Sequence, residues 1–283
     1  MKSRGILYIV GTPIGNMEDI TIRALKTLKE VDVVLAEDTR QTLKLLSHYG
    51  IKKSLISYHR HNEIDKINQV ISILDEGKKV ALVSDAGMPI ISDPGQALMQ
   101  HLCSNNYDAV VIPGVTAVIT GLVKCGLDAS KFVFEGFLSV NKKQRREKLD
   151  ILKSETRTTV FYEAPHKLLY TLKDMLLTIG NRKICIAREL TKLHEEYIYT
   201  DIVEAIKTIE ENGIKGEIVL IVEGANKEEI KELEKESLEN ISSKDMVLSL
   251  MQEEGIDKKE AIKKVAKIKG IHKNEVYKEV IDI

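Results

Sequence analysis

The densest chemistry in the chain is Ser84–Gly95, which reads SDAGMPIISDPG. Two aspartates sit there among two prolines and two glycines. Proline fixes φ, so Pro89 and Pro94 stiffen the segment and lower the entropy lost on holding a ligand. Asp85 can accept hydrogen bonds from an amine or a ribose hydroxyl. Four more segments gather small or charged residues: Gly11–Asn16 (GTPIGN), Pro113–Ala117 (PGVTA), Phe161–His166 (FYEAPH) and Ala187–Lys192 (ARELTK), the last followed by Glu195 and Glu196. Small residues let a ligand approach the backbone closely. The alternating charges of ARELTK fit either a reactive cluster or a salt-bridged rim. GTPIGN lacks the glycine spacing of a dinucleotide fingerprint, and no phosphate-loop lysine motif occurs, which argues against a nucleotide hydrolase. His59 and His61 flank Arg60 without the further ligands a zinc site needs.

Each of these segments follows or ends a strand-like run, and ligands of open α/β sheets bind at the C-terminal ends of strands. Ile6–Val10, Val31–Ala36, Val80–Val83 and Ala109–Ile112 are apolar runs that suit a mostly parallel sheet covered on both faces. Between them, Asp19–Glu30 puts Ile20, Ala24, Leu25 and Leu28 on one helical face. Thr39–Tyr49 is helical up to Gly50. Asn62 can cap a helix carrying Ile64, Ile67, Ile71 and Leu74 and ending at Gly77. These elements make a first α/β domain of residues 1–121. The pattern resets in a second α/β domain, residues 122–225. Its strands are Phe132–Phe137, Thr159–Tyr162, Ile184–Ala187, Glu196–Thr200 and Glu217–Val222. Its helices are Lys143–Leu152, Lys167–Ile179 and Ile202–Asn212, and the order allows some antiparallel pairing. A cleft between the two domains is the expected ligand site. Residues 226–283 read as an acidic linker helix, Asn226–Glu239, and a small helix-turn-helix-like bundle of Lys244–Glu254, Lys258–Lys269 and His272–Val280, broken at Gly255 and Gly270.

With 42 Lys plus Arg against 43 Asp plus Glu, the whole chain gives no hint of a nucleic-acid or membrane partner, so any basic surface must be local. Two such patches stand out. Lys142, Lys143, Arg145, Arg146 and Lys148 are opposed only by Glu147, and seven lysines fall between Lys258 and Lys273 against Glu260. Each reads as a solvated helix face or as a contact to a phosphate backbone. Trp is absent and aromatics are 5% of the chain, which disfavours base stacking as the main contact. Cys103, Cys125 and Cys185 have no metal or disulfide spacing and read as small core residues in a reducing, cytoplasmic setting. No signal peptide or membrane span is legible.

Taken together and in order, GTPIGN, Glu37–Arg40 (EDTR), SDAGMPIISDPG, PGVTA, FYEAPH and ARELTK resemble the class III, or tetrapyrrole-methylase-like, methyltransferases. Within that group they are similar to the bacterial small-subunit ribosomal RNA 2′-O-ribose cytidine methyltransferases, from about Gly5 to Gly224. The resemblance implies S-adenosyl-L-methionine folded between the two domains. It implies Val10 and Pro13 near the adenosine, Asp85, Gly87 and Met88 near the methionine and ribose, Thr116 and Ala117 on the methionine, and Tyr162, Ala187 and Leu190 walling the adenine. The acceptor it implies is a cytidine ribose of 16S ribosomal RNA, cytidine 1402, in the small ribosomal subunit, and the enzyme would be a homodimer.

A ribose hydroxyl is a weak nucleophile, so a base or a stabilising cation helps. Glu163, Glu189 and Glu195 are candidates for the base, and Arg188 or Lys192 for the cation. Asp38, Arg40, His59, His61 and Asn62 can line the substrate side. Lys142, Lys143, Arg145, Arg146, Lys263 and Lys267 are candidates for RNA contact, with no role for DNA. Two rivals stand beside this reading: a methyltransferase of the same fold acting on a porphyrinoid or a protein histidine, and a non-catalytic RNA-binding ribosome-assembly factor.

Overall fold

The structure is a computed structural model, and it describes residues 4–226, 228, 230, 231 and 241–280. Short apolar runs form strands and amphipathic runs form the helices that cover them. In the N-terminal half these are β1 (Leu7–Val10), α1 (Ile22–Glu30), β2 (Val33–Ala36), α2 (Thr39–His48), β3 (Ser54–Ser57), α3 (Glu63–Asp75), β4 (Val80–Val83), α4 (Gln96–Ser104), β5 (Ala109–Ile112) and α5 (Ala117–Val123). The strands make one parallel sheet in the order β3-β2-β4-β1-β5. Helices on both faces explain its two separate apolar layers, one around Val10, Val34 and Ala81, the other around Leu7, Leu35 and Leu82. The expected helix Asp19–Glu30 starts later than its apolar pattern. Met17–Asp19 is a 3-10 turn, and Thr21 Oγ1 accepts from Ala24 N at 3.0 Å and so begins α1.

The second sheet is mixed, in the order β6-β7-β10-β8-β9. It is built from β6 (Phe132–Phe137), α6 (Lys142–Ile151), β7 (Thr158–Glu163), α7 (Pro165–Ile179), β8 (Lys183–Arg188), β9 (Glu196–Asp201), α8 (Ile202–Asn212) and β10 (Ile218–Val222). β10 is buried along its whole length and runs antiparallel to both its neighbours, β7 and β8. The expected antiparallel pairing therefore lies at the centre of the sheet as well as at its β9 edge.

Gly121, the expected domain boundary, lies inside α5. A Cβ there would meet Val219 and Ile221 of β10 at 3.3 Å. Val118, Leu122 and Cys125 share one core with Val160, Cys185, Ala187, Val219 and Ile221, so α5 joins the two halves. The hydroxyl of Tyr197 on β9 donates to Thr120 O at 3.0 Å and secures that joint. Tyr197→Phe should lower stability by about 1 kcal/mol, a neutral hydrogen bond's usual contribution, checked by denaturant unfolding. Cys125 and Cys185 are buried as expected, but Cys103 is exposed, because it lies on the outer face of α4 opposite Leu98 and Leu102.

The C-terminal helices are α9 (Ser243–Glu254), α10 (Lys258–Lys269) and α11 (Lys273–Glu279). Gly255 and Gly270 are left-handed at φ 64° and 66°, which is where each turn needs glycine. Val247, Ala261, Ile262, Val265 and Val276 give the three helices a core of their own. The expected linker helix falls largely on residues 232–240, outside the described residues. No helix among the described residues is long and apolar enough to cross a membrane.

Candidate cofactor cavity

Three loops from the C-terminal ends of β1, β4 and β5 are locked to one another. Thr12 N donates to Gly87 O at 2.9 Å and Gly87 N to Thr12 O at 3.1 Å, while Thr12 Oγ1 also donates to Ser84 O at 3.2 Å. Gly11 and Gly114 touch: a Cβ on Gly11 would lie 2.7 Å from Gly114 Cα and from Met88 Sδ. Only glycine fits there. Across from these loops, the ARELTK turn folds with Glu189 at φ 50° and Thr191 at φ 65°. Asn16 N donates to Thr191 Oγ1 at 3.0 Å and so ties that turn to the first half.

The space enclosed is a cavity of about 550 Å³. Ile14, Met88, Phe134, Tyr162, Leu190 and Val219 supply much of its apolar wall. Its charged lining among the described residues is one-sided, with Asp93, Glu163 and Glu217 and no Lys, Arg or His. Burial, and after it the charge of Glu37, push the Asp93 carboxyl up to about 6. A cavity of this kind favours a compact organic cation with an apolar body and repels phosphates.

The tetrapyrrole (corrin/porphyrin) methylase model matches residues 6–206, most of the chain. The chain belongs to the tetrapyrrole methylase family. A ribosomal RNA small subunit methyltransferase I from Halalkalibacterium halodurans is 51% identical over 221 residues, 78% of this chain and 76% of that one. A protein of the same name from Thermotoga maritima is 50% identical over 220 residues, 78% of this chain and 99% of its own length. Among solved structures, a uroporphyrin-III C-methyltransferase from Thermus thermophilus, in complex with S-adenosylhomocysteine, is 19% identical, with a TM-score of 0.56 over 80% of this chain and 99% of that one. The last likeness concerns the fold.

Against that family fold, the residues named from sequence divide sharply. Gly87, Met88, Thr116, Ala117, Tyr162 and Leu190 all line the cavity. Val10 and Ala187 lie behind the lining in apolar core, and Pro13 is buried without reaching it. Asp85 is exposed and outside the lining, where Oδ1 accepts from Asp38 N at 3.1 Å. Asp93, the second aspartate of the same motif, faces the cavity instead. Ile90 at φ 78° and Ser92 at φ 68° turn the loop between the two. Such angles are rare for any residue other than glycine and rarest for a β-branched one. No local sequence rule foretells them.

The proposed acids and cations are brought together but tied down. Glu163 is 5% exposed and accepts from Thr171 Oγ1 at 2.6 Å and Ala164 N at 2.9 Å. Glu189 Oε1 accepts from Glu217 N at 2.8 Å and Lys192 Nζ at 3.0 Å, and Glu195 Oε2 accepts from Thr191 N at 2.7 Å. Arg188 pairs with Glu196. Lys192 Nζ also reaches Glu217 Oε2, at 2.9 Å, which places a cation beside a carboxylate of the lining.

On the first half's rim, Arg40 is 86% exposed and pairs with Asp38 at 2.7 Å. That side-chain bond holds the Asp38 carboxyl down at about 2. His59 and Asn62 bond each other through His59 N and Asn62 Oδ1, at 2.8 Å, and His61 is exposed nearby. The Lys142–Lys148 run is less basic at its surface than its sequence suggests. Arg145 is 11% exposed and, with Arg146, grips Asp174 of α7 at 2.6 and 2.9 Å. Lys148 pairs with Glu135 at 2.7 Å. Lys142 and Lys143 remain outward. Lys263 and Lys267 stand exposed on α10.

Proposed function

We propose that this protein transfers the methyl group of S-adenosylmethionine to the 2′-hydroxyl of a cytidine ribose in the 16S RNA of the small ribosomal subunit. One observation carries the choice of acceptor. Identity to proteins named for small-subunit RNA methylation is about half over 78% of this chain, against 19% to the porphyrin methyltransferase that shares the fold. The cavity's chemistry fits the donor. S-adenosylmethionine carries a sulfonium and an ammonium on a largely apolar body, and the lining offers carboxylates and apolar walls, with Lys192 outside the lining and paired to Glu217. Bound there, the donor supplies an electrophilic methyl group with a good leaving group.

The residues of the chain then divide the work. Asp93 holds the ammonium, with Thr116 and Ala117 at the start of α5 against the same end. Tyr162, Phe134 and Leu190 exclude water from the reacting atoms. The interlocked loops Thr12–Gly87 and Gly11–Gly114 fix the attack line, and alignment alone can supply a large part of the acceleration. Lys192, held between Glu189 and Glu217, stabilises negative charge developing on the ribose oxygen, whose proton passes to one of the carboxylates Glu163, Glu189 or Glu195. Arg40, Lys142 and Lys143 meet the RNA, while Arg145 holds the fold. Val111, Ile119 and Val123 are exposed on the open β5 edge and α5, and support a homodimer across that edge. A reducing cytoplasm suits the uncrosslinked cysteines.

The decisive experiment is tritiated methyl transfer to small subunits purified from cells lacking the protein, followed by mapping of the labelled nucleotide. Label on one ribose is the expected result; no incorporation, or label on a base carbon, would overturn the reading. In the same assay Lys192→Gln should lower kcat at least tenfold while calorimetric affinity for S-adenosylmethionine stays unchanged.

A further inference from the structure

The seven lysines between Lys258 and Lys273 do not share one fate. Lys264 pairs with Glu254, Lys269 donates to Ile241 O, and Lys258 is also engaged. Lys259, Lys263 and Lys267 are exposed and carry no ion pair among the described residues. They recur every four residues, so they form one ridge along α10, with roughly 6 Å of axial rise between neighbours. The opposite face, Ala261, Ile262, Val265 and Ala266, is buried against α9 and α11.

That division selects the partner. A membrane-surface helix needs a free apolar face beside its basic one, and here every apolar side chain of α10 except Ile268 is packed into the module's own core. A protein interface needs a desolvated centre, and lysine is depleted from such centres. An evenly spaced row of unpaired ammonium groups on a rigid helix is suited to successive phosphates of one nucleic-acid strand. The Thermotoga relative points the same way: 220 matched residues account for 99% of its length, so it has no room for an added three-helix unit. The unit is therefore an accessory to the α/β body and not part of the methyl-transfer chemistry.

We propose that the Ser243–Glu279 module is an auxiliary RNA clamp, in which Lys259, Lys263 and Lys267 bind the phosphate backbone of a helical segment of the substrate RNA. The clamp rests on the reading of the enzyme as an RNA methyltransferase and adds to it a second, sequence-independent contact. It raises affinity for the RNA and leaves the chemical step alone.

The test uses the full chain with K259Q, K263Q and K267Q combined. Its control carries K52Q, K131Q and K207Q, three exposed lysines on other surfaces. Binding of a fluorescein-labelled small-subunit RNA hairpin is titrated at a series of KCl concentrations, and methylation of small subunits is followed in parallel. For duplex binding, each phosphate contact contributes about 0.9 to the slope of log affinity against log salt. The clamp triple should lower that slope by about 2 to 3, weaken binding at least tenfold at physiological salt, and raise KM with kcat unchanged. The control should match the parent. An unchanged slope, an equal loss in the control, or a raised KM with the parental slope, which would mark a protein contact on the subunit, would each overturn the clamp. If subunits accept no methyl group at all, the methylation reading fails, while the salt slopes still report on the clamp by themselves.

Discussion

Asp174→Ala should destabilise the protein by about 3–5 kcal/mol, the range found when one partner of a buried ion pair is removed. Asp174 lies on α7 with its side chain 6% exposed. Burial alone would push its carboxyl up, but hydrogen bonds from Arg145 and Arg146 outweigh it and leave the carboxyl below its usual range. A depressed carboxylate stabilises the fold above its unfolded pKa, and that contribution is lost as pH falls through the folded value. The parent should therefore weaken on acidification below about pH 4, and the variant should show less of that dependence. The mutation leaves Arg145, 11% exposed, with the carbonyls of Ser139 and Val140 as its partners among the described residues. Calorimetric unfolding from pH 3 to 7 would measure both effects. Lys142→Ala and Lys143→Ala, on the same helix, should fall within about 0.5 kcal/mol of the parent, as surface substitutions do. Equal losses for Asp174 and for the two exposed lysines would refute the inward assignment of Arg145.

The same helix shows why some of the molecule was legible in the sequence and some was not. β4 falls where its apolar run stands, because a strand buried on both faces leaves no alternative pattern. β5 also falls on its apolar run, although it is an edge strand with Ala109 and Val111 exposed. α10 begins and ends as read, since Asp257 accepts from Glu260 N and Gly270 takes up a left-handed φ, both local signals. β3 has no such signal. Its sequence, SLIS, is half polar because it is an edge strand, exposed at both ends. α4 starts at Gly95 without a side-chain cap, so nothing announces it. Long-range pairing is the least legible of all. Arg145 looks like part of a solvated basic run until its partner, 29 residues away on another helix, is brought beside it. The cavity follows this rule. The small residues of PGVTA are readable as backbone left open for a ligand, while Gly87 and Met88 follow from the family resemblance. The choice between Asp85 and Asp93 depended on left-handed turns at Ile90 and Ser92 that only the folded loop imposes.

Asp93→Asn should weaken S-adenosylmethionine binding by roughly 10- to 100-fold, which corresponds to the ~1.5–3 kcal/mol of a hydrogen bond to a charged group. The amide keeps the size and the acceptor oxygen but loses the charge that draws an ammonium. Asp85→Asn, at the exposed rim, should change affinity less than threefold. In the free protein Asp93 titrates at about 6, because burial and the nearby charge of Glu37 disfavour its ionised form. A carboxyl raised in this way binds a proton in the folded state that the unfolded chain has already released, so the fold loses stability as pH climbs from about 4 to 6. Cofactor binding has the opposite sign. An ammonium selects the carboxylate, so affinity should rise with pH through about 6 and level off above 7, and binding below pH 6 should release a proton. Calorimetry at pH 5.5 in buffers of different ionisation enthalpy would detect that proton as a buffer-dependent heat. Asp93→Asn should abolish both the proton release and the pH dependence. A variant that keeps them would move the ammonium to Glu163 or Glu217, the other carboxylates of the lining. Each of those two already accepts a hydrogen bond, Glu163 from Thr171 Oγ1 at 2.6 Å and Glu217 from Lys192 Nζ at 2.9 Å, whereas Asp93 stands on the cavity-lining loop turned by Ile90 and Ser92.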